Sequence, residues 1–182
     1  MPLKIMLELS DKDLAHFRRS MKSVQKSAVD KPMDEIADAA RALIKASKKE
    51  KPPEFVADRL GCLGQLVEML TDEEWKLAGG DQKRIAAALS YFTEAQDLIP
   101  DDIPGLGFLD DAIMIELVTR DLKHDMEAYR DFCTFRSTKE AALKKSGKSG
   151  GTREAWLADR RAVLQSRMRR RRSRGASRYI WG

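Results

Sequence analysis

The sequence predicts an all-α protein, and three observations carry that reading. Gly and Pro are few, eleven and six in 182 residues, and mostly clustered, so long stretches are open to uninterrupted helix. Apolar residues recur three and four apart along most of the chain, as one face of a helix requires. Few segments alternate apolar and polar residues as half-buried strands do. The expected organisation is a compact multi-helix domain over 1–143, a flexible linker over 144–151, and an Arg-rich basic helix with a tail over 152–182.

Each element follows from local chemistry. Ser10 followed by Asp13 reads as a capping box with the shorter acid, opening a helix over about 11–28 with Leu14, Phe17, Met21 and Val24 inward. Val29-Asp30-Lys31-Pro32 breaks it, and Pro32 suits a first helical position. Ile36, Ala40, Leu43 and Ile44 form the next inner face, and "KASKKEKPP" (45–53) reads as a solvated connector closed by two prolines. A third helix over about 54–70 carries a wide apolar face, with Gly61 and Gly64 inside it suggesting either close helix packing or a local bend.

Thr71 with Glu74 forms a capping box for a short helix bearing Trp75 and Leu77. Asp81 is expected to cap a helix over about 82–95 with Ile85, Ala88, Leu89 and Phe92 inward. A long helix is expected from about 110 to beyond 140, continuing through Met126, Tyr129, Phe132, Cys133 and Phe135. "KKSGKSGG" (144–151) is a linker by composition, Thr152 caps a last helix over about 153–170, and "RSRGASRYIWG" is a tail.

Between the helix expected over 82–95 and the one expected from 110 lies "QDLIPDDIPGLGFLDDA" (96–112), with five aspartates in seventeen residues. Pro100 and Pro104 lack a backbone donor and push their preceding residues out of the α region, so the incoming helix stops near Leu98. Gly105 and Gly107 permit turn angles, and Asp110 or Asp111 suits the N-terminus of the outgoing helix. The pattern Asp97-Leu98-Ile99-Pro100-Asp101, then Ile103-Pro104 and Gly107, then Asp110-Asp111 resembles the YkvA-like bacterial family, a domain of unknown function. That resemblance implies a small helical hairpin and no known activity. An EF-hand loop fails here, because from Asp97 its third, sixth and twelfth positions are Ile99, Asp102 and Phe108. A magnesium site from Asp97, Asp101, Asp110 and Asp111, or an acid–base carboxylate pair, is the rival reading of this corner.

Charge supplies the functional signal. The whole chain is +5, yet residues 1–136 carry 20 Lys/Arg against 26 Asp/Glu and residues 153–182 carry ten Arg against two acids. An acidic body thus bears a basic C-terminal segment. Trp156, Leu157, Val163, Leu164 and Met168 make a narrow apolar stripe. Arg160, Arg161, Arg167, Arg169, Arg170, Arg171, Arg172, Arg174 and Arg178, with Tyr179 and Trp181, supply guanidinium forks and aromatic faces suited to nucleic acid, RNA above all. The alternatives are docking onto an acidic protein surface, including the chain's own body or a second copy, and docking onto an anionic membrane.

No nucleophile triad, P-loop or dinucleotide fingerprint is present, so a non-enzymatic binding or adaptor protein without cofactor is expected. His16 and His124 lack ligand spacing, and Cys62 and Cys133 belong to no metal or redox motif. The start meets acid too early for a secretory signal and no run approaches a membrane span, so the expected compartment is the cytoplasm.

Overall fold

A computed structural model of the chain describes residues 6, 8–27, 31–93, 99, 103, 106–146 and 152–179, with the backbone alone for 24–27, 146 and 175–179. Among these residues there are seven helices, one 3-10 turn and no strand, so the protein is all-α. The helices are α1 (Asp11–Ser27), α2 (Met33–Glu50), α3 (Glu54–Thr71), α4 (Gly79–Leu89), α5 (Leu109–Asp121), α6 (Lys123–Ser146) and α7 (Arg153–Tyr179), and the 3-10 turn is Ser90–Thr93.

The caps explain the starts. The Ser10 backbone N–H donates to Asp13 Oδ2 at 2.9 Å, and the Asp13 N–H donates to Ser10 Oγ at 3.3 Å, which closes the expected box at α1. Pro32 stands one place earlier than expected, as the N-cap of α2. Lys51 ends α2 in the left-handed region at φ 48°, just before Pro52.

The core centres on α5, which buries Ala112, Ile113, Met114, Ile115, Leu117 and Val118. α3 packs against α2, α4, α5 and α6, so it is the second hub. Its glycines do not serve close packing. A Cβ at Gly61 would meet nothing within 4 Å, and one at Gly64 would meet only Ile44 Cδ1 at 3.9 Å. The polar edge of α5 is also used. Burial alone would lift the Glu116 carboxyl, but hydrogen bonds from Arg120 and Arg59 outweigh it and hold the group below the usual range.

Other expectations change as well. Residues 45–50 of the expected connector belong to α2, the helix expected over 82–95 gives way to the 3-10 turn after Leu89, and α7 runs past 170 to Tyr179, through most of the expected tail. The Thr71–Glu74 box does not form, because α3 runs on through Thr71, whose hydroxyl donates to Val67 O at 2.9 Å. Asp72 takes over instead, its Oδ1 accepting the Glu74 and Trp75 N–H groups at 2.8 and 3.2 Å, so Trp75 sits in a turn. α4 begins at Gly79, which places Asp81 in the first turn rather than at the cap. The long helix expected from 110 breaks at Leu122 (φ −99°, ψ 14°), whose buried side chain holds the corner between α5 and α6.

In the aspartate corner, Ile103 O accepts Gly107 N–H at 2.8 Å and Leu106 N–H at 3.2 Å. Phe108 takes φ 64° at the N-cap of α5 and is 2% exposed, so burial holds a backbone angle uncommon outside Gly. Asp110 Oδ2 accepts the Ile99 N–H at 3.1 Å, tying the incoming chain to α5. Ile103 and Leu106 are exposed, Ile99 and Leu109 half-buried and Phe108 fully buried. Asp97, Leu98, Pro100, Asp101, Pro104 and Gly105 lie outside the described residues, as do 147–151. α6 runs to Ser146, so Lys144 and Lys145 are helical.

Candidate nucleic-acid interface

α7 lies along α6, and its inner face is built into the body. Leu157 and Leu164 are fully buried and Met168 nearly so, each worth roughly 1.5–3 kcal/mol by burial. Gln165 is buried among them, and its Nε2 donates to Trp75 O at 2.8 Å and Lys76 O at 3.3 Å. Trp75, itself fully buried, tilts against Tyr129 and Phe132 at 5.8 and 5.0 Å. Thr152 Oγ1 caps the helix by accepting the Ala155 N–H at 3.3 Å. Trp156 packs edge-on to Phe135 at 5.7 Å. Val163, expected in the apolar stripe, is 60% exposed because it lies about 100° round the helix from Leu164 and so turns off the buried face.

The arginines divide by face. Arg167 pairs with Asp131, and Arg171 with Glu127 at 3.2 Å. Arg172 bridges Asp81 at 2.7 Å and Asp125 at 3.4 Å, while Arg169 Nε reaches Asp81 at 3.3 Å. Arg84 of α4 also holds Asp125. Asp81 and Asp125 have side chains 6% and 1% exposed, so these carboxylates are desolvated and their guanidinium partners are required. Arg161 donates to Glu74 O at 2.7 Å, and Arg160 stacks over Phe135 at 5.2 Å. Arg170 and Arg174 are exposed, and neither has a carboxylate partner among the described residues. The side chains of Arg178 and Tyr179, and all of Trp181, lie outside the described residues.

At the N-terminal end Arg153 holds Glu74 and, at 2.6 Å, Glu140. The Arg153 hydrogen bond keeps the Glu74 carboxyl below the usual range against the opposing effect of burial, and Arg136 adds to it. The Tyr129 hydroxyl donates to Asp72 Oδ2 at 3.0 Å, and burial pushes its ionisation well above the ordinary tyrosine value. Burial likewise raises the neighbouring Cys133 thiol, which makes it a poor nucleophile.

Sequence reasoning missed Arg153, Gln165, Asp81 and Asp125 as parts of this interface. One signal for the pairing exists in the chain. Glu127 and Asp131 are four apart on α6, Arg167 and Arg171 four apart on α7, and antiparallel helices bring such rows into register. In the corner, Asp110 and Asp111 are 2% and 6% exposed. Among the described residues no group of three or more His, Cys, Asp or Glu is placed to hold a metal ion. No helix among them is long and apolar enough to cross a membrane.

From Arg84 in α4 to Leu117 in α5 the chain matches a family model described as a protein of unknown function (DUF1232), residues 84–117. The match covers the corner and its two flanking helices, under a fifth of the chain, and does not reach α7. No curated protein and no solved structure matches the chain.

Proposed function

We propose that this chain is a non-enzymatic binding protein that captures RNA on the outward side of α7, with the acidic body as the rigid support of that helix. The observation that carries the reading is the division of the arginines. Most of them neutralise body carboxylates, whereas Arg170 and Arg174 stand exposed one turn apart with no carboxylate partner among the described residues. Uncompensated guanidiniums on a rigid helix suit phosphate, because little conformational freedom is lost on binding. In this reading the corner is a YkvA-like hairpin that acts as scaffold, and the protein works in the cytoplasm.

A second reading has support from one observation. α7 already docks on an acidic protein surface, that of its own body, so its outward side suits a further acidic protein as well. The two are separated by titrating labelled single-stranded RNA with the full chain and with Arg170→Glu/Arg174→Glu. RNA capture predicts an affinity that falls steeply between about 50 and 200 mM salt and at least about tenfold weaker binding by the variant. Binding indifferent to both salt and the variant sinks the RNA reading.

A further inference from the structure

Along the outer side of α7 runs an open groove of about 490 Å³. Its floor is Ala158, Ala162 and Ser166, spaced four apart so that small side chains follow one another along the helix. Arg161 and Arg169 rise on one side with Gln165 between them, and Arg170 closes the C-terminal end. From 158 to 170 the helix rises ~18 Å. We propose that this furrow is the seat of a single RNA strand, whose phosphodiester backbone lies over the small residues and is gripped by Arg161, Arg169 and Arg170. The inference rests on the RNA reading and adds where the strand lies and what form it takes.

The geometry favours phosphate by fixing two of the three arginines in advance. The Arg161 guanidinium is anchored from beneath by Glu74 O at 2.7 Å. Arg169 is held by Gln165 Oε1 at 3.0 Å, and Gln165 is itself fixed to the Trp75 carbonyl. These heads are therefore set in place before a ligand arrives. Arg161, its side chain 15% exposed, adds a fixed charge at the wall, and the more exposed Arg169 keeps the N–H donors not bonded to Gln165 or Asp81 for phosphate oxygens. Glu154 and Asp81 offset part of the charge of Arg161 and Arg169, so the uncompensated Arg170 sets the sign of the groove.

The form of the strand follows from RNA geometry. An A-form duplex has a major groove too deep and narrow to admit a helix, so the proposal takes a single strand as the ligand and the duplex as its control.

The test fills the furrow without touching charge. Ala158→Leu/Ala162→Leu keeps strong helix formers at exposed or half-exposed positions, and Ser166→Leu fills the same floor singly should the double variant fold poorly. Labelled single-stranded RNA, the matching duplex and poly-glutamate are titrated against each full-length protein, with melting temperature recorded. The proposal expects about tenfold weaker strand binding by the filled variants at unchanged melting temperature, and weak duplex and poly-glutamate binding throughout. If the filled variants bind the strand as well as the parent while Arg170→Glu/Arg174→Glu loses it, the furrow is overturned and the RNA reading stands. If no variant alters strand binding, both fall. Duplex or poly-glutamate bound as tightly as the strand also overturns the proposal.

Discussion

Asp125 shows what a single paired charge does here. Its side chain is 1% exposed and meets Arg84 and Arg172. Removing it leaves Arg84 without its carboxylate and Arg172 with Asp81 alone, so Asp125→Asn is expected to lower unfolding stability by about 2 kcal/mol in chemical denaturation. Arg167→Ala removes a pair whose members are 36% and 48% exposed, and its expected cost stays under about 1 kcal/mol. Equal costs from the two variants would contradict this gradient of burial. The neighbouring Asp81 also marks a limit of sequence reading. Gly79-Gly80-Asp81 has the composition of a helix start, and Asp81 is a good cap residue. Its partner Arg172 lies 91 positions away, and nothing local reveals that contact.

Glu74 gives a pH prediction. Its folded carboxyl sits below the ordinary value because Arg153, against burial, favours the ionised form. A depressed folded value means stability that is present above the unfolded carboxylate range, near pH 4.5, and lost as pH falls through the folded value. Thermal melts between about pH 3 and 7 should therefore show Glu74→Gln losing less stability on acidification than the parent. A variant with the same pH slope as the parent would remove Glu74 from the linkage.

Among the elements, the start and inner face of α7 were the most legible, its end at Tyr179 was placed too early, and the α5–α6 junction was the least legible. Thr152 and the stripe of Leu157, Leu164 and Met168 announced a capped amphipathic helix, and the structure keeps both. Val163 misled because an apolar residue beside the stripe lies almost a third of a turn off its centre. The break at Leu122 was hidden because apolar periodicity continues across it, and a one-residue corner stabilised by burial carries no Gly or Pro to mark it. Leu164→Ala should cost about 2–4 kcal/mol as a cavity in the core. Val163→Ala, at 60% exposure, should stay within about 0.5 kcal/mol. Denaturant midpoints for the pair check the assigned face directly. The arginine list was readable from composition, but which arginines turn outward depends on the docking of α7 and was not.

For the whole molecule, the acidic excess of residues 1–136 and the basic excess of residues 153–182 form the two sides of one interface. Deleting the last helix thus removes core residues along with charge. A chain ending near Lys148 should melt lower than the full chain, so point variants are the cleaner test of ligand binding. The account also separates two responses to salt. Exposed ion pairs are screened with little loss of stability, whereas strand affinity should fall with a log–log slope near −0.7 per phosphate contacted.

The central claim is that α7 acts as a fixed helix of the domain and meets its ligand while still docked. Hydrogen exchange of the α7 backbone, with and without saturating single-stranded RNA, tests it most directly. The account predicts amides from Leu157 to Met168 protected as strongly as those of α6 in the free protein, with protection kept or raised when RNA is added. Rapid exchange across that span in the free protein, or loss of protection on adding RNA, would contradict it and make α7 a detachable arm.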